Sequence, residues 1–255
     1  MERFLINRLM IMRLDVFLAE RGFCQSRTEA KNLINSGAVE YLGKTITKAS
    51  FDIPDDATDI NVDRSSIRFV SRGGEKIAFA LEEFKVNVSG RSCIDVGASS
   101  GGFTDCLLQN GAFRVLSVDS GSGQIAESLR LDKRVTVIEG YNARYMKRED
   151  FDYIPDVAVM DVSFISATLI IPALYDTLSE NADFICLIKP QFEVGKSGLG
   201  KGGIVKDEKV RKSAVSKVSE FAEAIGFSLV GVIRSPIQGG DGNIEYLAYF
   251  KKGTL

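Results

Sequence analysis

Four charged residues, far apart along the chain, have the types needed to move a proton: Lys76, Asp161, Lys189 and Glu245. Asp161 closes the apolar run DVAVMD, Lys189 closes ADFICLIK, and Glu245 opens the run within GNIEYLAYF. Lys76 lies on the amphipathic segment EKIAFALEEF. The chain contains no histidine. That removes His-based triads, His metal sites and imidazole bases, and leaves acid–base work to Lys, Asp, Glu, Tyr or Cys. Taken singly, each charge could simply snorkel from a strand end into solvent. As a set they suit activation of a hydroxyl, a poor nucleophile until its proton is being removed. Lys189 is the expected base. It acts only when neutral, a state favoured by burial and by a second cation such as Lys76. Asp161 and Glu245 would orient the two amines through charge-assisted hydrogen bonds.

These residues need a frame that brings them together. From Ser92 onward, apolar strand-like runs (92–96, 113–119, 135–139, 156–161, 182–189) alternate with helical ones (102–110, 167–178, 207–225), and an amphipathic helix over 75–84 precedes them. Such runs specify an α/β, Rossmann-like sheet, mostly parallel and covered on both faces. The last two strands, 227–234 and 244–251, are too close for a helical crossover and must pair antiparallel.

Ligands of such sheets bind beyond the carboxyl ends of the strands, where the strand order reverses. That end carries Asp95-Val-Gly-Ala-Ser-Ser-Gly-Gly-Phe103. Glycines there let backbone approach a ligand closely. The spacing is not the dinucleotide pattern GxGxxG, and Asp95 just before the turn suits an amine-bearing cofactor better than a diphosphate. Asp119, ending the second strand, sits where an acid hydrogen-bonds ribose hydroxyls. A dinucleotide site and a tight connection without ligand remain alternatives. The turn resembles the first motif of S-adenosyl-L-methionine methyltransferases. The resemblance implies that Asp95, Gly97, Ser99, Gly101 and Phe103 line a cofactor pocket, with Asn142, after the third strand, at the adenine edge.

The N-terminal stretch has different periodicity. RLDVFLAERG and SRTEAKNLINSG read as two short helices, the second opened by a Ser26/Glu29 capping box and stopped by Gly37. A hairpin follows, 38–42 and 45–47 around a turn at Gly43–Lys44, then a closing strand 60–62. Composition leaves open whether this unit is a structural cap or a binding module. Between Arg13 and Lys48 six cations (Arg13, Arg21, Arg27, Lys31, Lys44, Lys48) face four anions (Asp15, Glu20, Glu29, Glu40), a local +2 against −2 for the whole chain. The pattern resembles the S4 RNA-binding domain. That implies a small α+β unit gripping folded RNA through Arg13, Arg27, Lys31 and Lys44, by phosphate contacts that position more than they specify. The expected boundaries are a leader over 1–12 outside the folded unit, the S4-like domain over 13–66, a linker over 67–74 and the catalytic domain over 75–255. Translation starting at Met10 or Met12 is an alternative reading of the leader.

Net charge of −2 and a sequence pI near 5.5 exclude RNA binding by global charge. The four cysteines form no CxxC pair, so neither a metal site nor a disulfide framework is expected; those in IDVG, TDCLL and FICLI read as buried thiols in a reducing compartment. No apolar run reaches membrane-span length.

SRGGEKIAFAL, DVGASSGGFTDCLLQNGA, VMDVSFIS, LIKPQFEVGK and GNIEYLAYF together resemble the TlyA family, which joins an S4 domain to an FtsJ-like methyltransferase domain. The resemblance implies cytoplasmic 2′-O-methylation of cytidines in large-subunit, and in some members small-subunit, ribosomal RNA. Ribosomal RNA or whole subunits would be the partner, and the family tetrad would fall on Lys76, Asp161, Lys189 and Glu245. Lys196, Lys201 and Lys206 in KPQFEVGKSGLGKGGIVKD could track RNA phosphates, or the segment could be a plain surface loop. Phe164 and Phe192 could stack on an extruded base or support the loops. Two other classes compete: a membrane-active hemolysin, after a name long used in the family, and a non-catalytic ribosome assembly factor. The sequence specifies neither the target nucleotide nor the oligomeric state.

Overall fold

The computed structural model describes residues 10–24, 26–63, 68–195, 198–239 and 242–253, and the chain divides into two units, Met1–Arg72 and Gly73–Leu255. In the first unit, β1 (Ile11–Arg13) runs into α1 (Leu14–Glu20), followed by α2 (Arg27–Asn35), β2 (Val39–Tyr41), β3 (Lys44–Thr45), β4 (Asp52–Pro54) and β5 (Ile60–Val62). Ser26 caps α2, its hydroxyl accepting the Glu29 N–H at 3.1 Å. Leu14, Phe17 and Leu18 of α1 and Leu33 and Ile34 of α2 bury their apolar sides with Val39 and Ile53 in one small core.

Two expectations for this unit need correction. Ile11 and Met12 do not belong to a leader: β1 pairs antiparallel with β4, Met12 opposite Ile53. The strand signal was too short to stand out, and only its partner makes it a strand. The hairpin turn is Leu42–Gly43, both at positive φ, with Lys44 already in β3. A two-residue turn of that handedness matches the twist of the flanking strands.

In the second unit, α3 (Gly73–Glu83) begins at Gly73, so the last two residues assigned to a linker are helical. Then follow β6 (Ser92–Val96), α4 (Gly102–Gln109), β7 (Arg114–Val118), α5 (Glu127–Arg130), β8 (Val135–Ile138), β9 (Val157–Met160), α6 (Ile171–Thr177), β10 (Asp183–Ile188), α7 (Pro190–Glu193), α8 (Glu208–Ile225), β11 (Phe227–Arg234) and β12 (Tyr246–Lys252). The helix expected over 167–178 is a 3-10 turn, Ala167–Leu169, followed by α6. Pro172 has no N–H to return to the preceding turn, so the α-helix starts afresh. The two shortest helices, α5 and α7, carried no periodic signal.

The described strands of this unit form one seven-stranded sheet in the order β11-β12-β10-β9-β6-β7-β8. β12 is antiparallel to both β10 and β11, while β10, β9, β6, β7 and β8 run parallel. All six residues of β10 are buried, as a strand covered on both faces requires. In the core Phe184 stacks on Phe250, and Phe227 packs tilted against both. All four cysteines are buried and free, and burial pushes the Cys93 thiol up to about 12.

Candidate active site

The chain order reverses between β6 and β9: β6 continues outward to β7 and β8, and β9 outward to β10. The residues that leave the five parallel strands are Gly97, Asp119, Glu139, Asp161 and Lys189. Most side chains in the strands below that line are apolar, Asp95 and Ser117 being among the buried exceptions, and β7, β8, β9 and β10 each give way to a charged residue just beyond it. β12 arrives from the opposite direction with Tyr246 paired to Ile188. Glu245 therefore enters at the level of Lys189. Topology alone thus brings three of the four expected residues to one edge, and α3 supplies Lys76 from its buried side.

The four residues form two ion pairs. Lys189 Nζ lies 2.6 Å from Asp161 Oδ1 and donates to Ser163 Oγ at 2.7 Å. Lys76 Nζ lies 2.6 Å from Glu245 Oε2. Side-chain exposure is 12% and 21% for Lys189 and Asp161, and 10% and 2% for Lys76 and Glu245. Each amine is thus recessed and pre-oriented by its own carboxylate, the second pair being the drier. Gly239 faces Glu245 so closely that any Cβ there would collide with the carboxylate.

The glycine turn is built for close approach. Gly97, at φ 86, presses on the backbone of Asp161, and a Cβ would strike the Asp161 carbonyl oxygen. Gly101, at φ 93, opens α4, and a Cβ there would meet Leu129. Asp119 pins the turn from β7, accepting the N–H of Ser99 and of Gly121, each at 2.7 Å. Each oxygen keeps a second lone pair for a ribose hydroxyl. Ser99 itself donates to Gln124. A tight glycine turn beside a pinned acid with free lone pairs, at the switch in strand order, fits an adenosyl cofactor.

Other expected cofactor residues do different work. Asp95 is fully buried and does not open onto a pocket. Its Oδ2 accepts the N–H and hydroxyl of Thr104, at 2.9 and 2.7 Å, which ties β6 to the first turn of α4. Its Oδ1 has no hydrogen-bond partner among the described residues. Burial pushes this carboxyl up to about 7 against the Thr104 hydrogen bonds. Phe103 is buried within α4. Asn142 is exposed and caps the 3-10 turn Ala143–Tyr145, accepting the Arg144 N–H. Glu139, read only as the last residue of a strand, accepts the N–H groups of Gly123 and Gln124 and pairs with Arg130.

Two loops flank the lysine. Phe164 is 92% exposed with φ 64, its ring 5.2 Å from that of Phe192. Lys201 and Lys206 are exposed; Lys196 lies outside the described residues. The buried Asn243 accepts the Val205 N–H at 3.0 Å and donates to the Gly203 carbonyl at 3.2 Å, fastening the end of the lysine- and glycine-rich segment. Asn243, Ser163 and Glu193 were missed by sequence reasoning. The available signal was their place inside GNIE, DVSF and KPQFE.

In the first unit the expected RNA-binding arginines share a partner that sequence counting had set against them. Asp15, with its side chain fully buried, accepts from Arg13 Nε at 2.9 Å and Nη2 at 3.1 Å, and from Arg27 Nη2 at 3.1 Å. Those hydrogen bonds hold its carboxyl down at about 2. The two arginine side chains stay 46% and 55% exposed. Lys31 and Lys44 are exposed.

Comparison with known proteins agrees with both units. Residues 69–252 match the FtsJ-like methyltransferase family and residues 12–58 the S4 domain. The chain is 43% identical to the 16S/23S rRNA (cytidine-2′-O)-methyltransferase TlyA of Mycobacterium tuberculosis, over 95% of this chain and 90% of that one. It is also 43% identical to Hemolysin A of Brachyspira hyodysenteriae, over 94% and 99%. Among solved structures, a Streptococcus thermophilus protein described as a hemolysin superposes with TM-score 0.77 at 41% identity, over 96% of this chain and 90% of that one. An S-adenosylmethionine-dependent methyltransferase from Mesorhizobium loti shares the fold, with TM-score 0.53 at 14% identity over 68% and 96%. With these matches spanning nearly its whole length, the chain belongs to the TlyA family, an S4 domain followed by an FtsJ-like methyltransferase domain.

Proposed function

We propose that this chain transfers the methyl group of S-adenosylmethionine to the 2′-hydroxyl of a cytidine in ribosomal RNA. The observation that carries the reading is the recessed Lys189 amine, held by Asp161 and Ser163 two strands from the glycine turn. When bound, the cofactor supplies a methyl already activated by its sulfonium. The protein's own task is then alignment and proton removal. Lys189 takes the hydroxyl proton, and Asp161 stabilises the ammonium that results. The Lys76–Glu245 pair places a second fixed cation at the same edge. Gly97 and Gly101 let the turn fold tightly onto Asp161 and Leu129, and Ser99 and Asp119 at its rim would hold the cofactor, Asp119 through its ribose hydroxyls. Phe164 offers an exposed ring on which an extruded base stacks.

The substrate class rests on the relatives. The Mycobacterium tuberculosis protein is named for both 16S and 23S rRNA, and a Campylobacter jejuni TlyA, 35% identical over 94% of this chain and 100% of that one, for 23S rRNA. An S4 domain presenting Arg13, Arg27, Lys31 and Lys44 supplies the sequence-independent grip. Work on ribosomal RNA belongs to the cytoplasm. No helix among the described residues is long and apolar enough to cross a membrane. Tritium transfer from labelled cofactor to 30S, 50S and 70S particles, followed by mapping of the modified ribose, tests the proposal. Label on a cytidine 2′-oxygen is expected, and label confined to a base would overturn it.

A further inference from the structure

The motif KPQFE contains a carboxylate that the proton transfer does not use. Glu193 ends α7, the four-residue helix that begins immediately after Lys189. Its side chain is buried and doubly engaged: Oε1 accepts the Ala167 N–H at 2.8 Å and Oε2 accepts the Ser166 hydroxyl at 2.6 Å. Lys217 of α8 closes the other side, donating to the Glu193 carbonyl at 2.9 Å and lying 3.5 Å from Oε2. Ser166 in turn accepts the Thr168 N–H and so caps the 3-10 turn that starts at Ala167.

The two segments are therefore joined twice. Lys189 meets Asp161 and Ser163 at one end, and Glu193 meets Ser166 and Ala167 at the other. Between these ties stands Phe164, at a φ that side-chain-bearing residues adopt only when their surroundings impose it. A buried carboxylate keeps its place only when paired and hydrogen-bonded, and both oxygens of Glu193 are committed to this one loop. We infer that Glu193 is a positioning residue for the reaction: it braces the Asp161–Ser166 loop so that Asp161 and Ser163 hold the Lys189 amine on line. It touches neither cofactor nor RNA in this role, and the inference rests on the reading of Lys189 as the base.

The test compares Glu193→Ala, Glu193→Gln and Ser166→Ala in the full chain. A misplacement of about an ångström costs on the order of a hundredfold in rate. Glu193→Ala should therefore lower kcat about 30- to 100-fold, while S-adenosylmethionine affinity and the KM for RNA stay within about threefold. Glu193→Gln, which can still accept from Ala167 and donate to Ser166, should recover turnover to within about fivefold of wild type. Ser166→Ala, which removes one of the two ties, should fall between them. Amide exchange should quicken about tenfold or more over residues 162–167 in Glu193→Ala and stay unchanged over residues 97–103. A wild-type kcat in both alanine variants would overturn the inference. So would a Glu193→Ala defect that appears equally in cofactor affinity and that Glu193→Gln does not relieve. If Glu193→Ala fails to fold, Glu193→Gln and Ser166→Ala decide by the same two measurements. If the wild-type protein methylates no RNA, the functional reading fails, and amide exchange alone still decides whether the brace exists.

Discussion

Each unit of this molecule contains a fully buried aspartate, and the two are driven in opposite directions. Asp15 accepts from two arginines and is held down at about 2. Asp95 accepts from a hydroxyl and an amide of Thr104, neither of them charged, and burial pushes it up to about 7. Charged donors outweigh burial at Asp15, and burial outweighs uncharged donors at the more deeply placed Asp95. The cations follow the same division. The S4 domain anchors Arg13 and Arg27 through Asp15 and leaves their side chains about half exposed, a geometry suited to phosphate. The methyltransferase domain gives each lysine its own carboxylate and recesses both, a geometry suited to chemistry at one atom.

The largest expected effect falls on the recessed amine. Lys189→Ala should lower methyl transfer by about a thousandfold and leave S-adenosylmethionine binding within about threefold, read by single-turnover tritium transfer and calorimetric titration. Turnover near wild type would erase the distinction between a binding and a reacting set of cations. Lys76→Met sharpens the contrast between the two lysine pairs, because it strands the buried Glu245 carboxylate. Removing one partner of a buried pair costs about 3–5 kcal/mol, so urea unfolding should register it. A cost under about 1 kcal/mol would mean that water reaches Glu245.

Arg27→Ala should weaken RNA binding about tenfold and lower the slope of log affinity against log salt by about one, with kcat at saturating RNA unchanged. A fall in kcat instead would give this arginine a part in the reaction. The smallest effect is the pH response. Asp95 has a folded value above its unfolded value of 3.8. Its contribution to stability is therefore fully present below about pH 4 and is lost as pH rises through about 7. Asp15 has a folded value below 3.8. Its contribution is present above about pH 4 and is lost as pH falls through about 2. Melting temperature across this range should show Asp95→Asn gaining on wild type between about pH 4 and 7, and no gain there would mean that Asp95 keeps its charge.

Much of the catalytic frame was legible in the chain. β6 and β11 lie where their apolar runs predict, and the close spacing of the last two strands dictated antiparallel pairing. Asp161, Lys189 and Glu245 were visible as charges at the edges of apolar runs, and Lys76 entered from an amphipathic helix; only as a set, and through the family resemblance, did they stand out. β1 was not visible, since three residues show no periodicity until β4 pairs with them. Asp95 was expected to face a ligand because its position in the motif carries no information on which way a carboxylate turns. Glu193 was overlooked because a buried acid at the end of a short helix looks, in sequence, like an exposed one.

The sequence by itself determined the alternation of strands and helices, the four charged candidates at or near strand ends and the arginine-bearing N-terminal unit, because periodicity and residue type are local properties of the chain. Only the tertiary structure decided which lysine pairs with which carboxylate, that Asp15 serves two arginines, and that Glu193 ties two loops together. Those facts depend on distances between residues remote in sequence, which strand order and register set and no local pattern encodes.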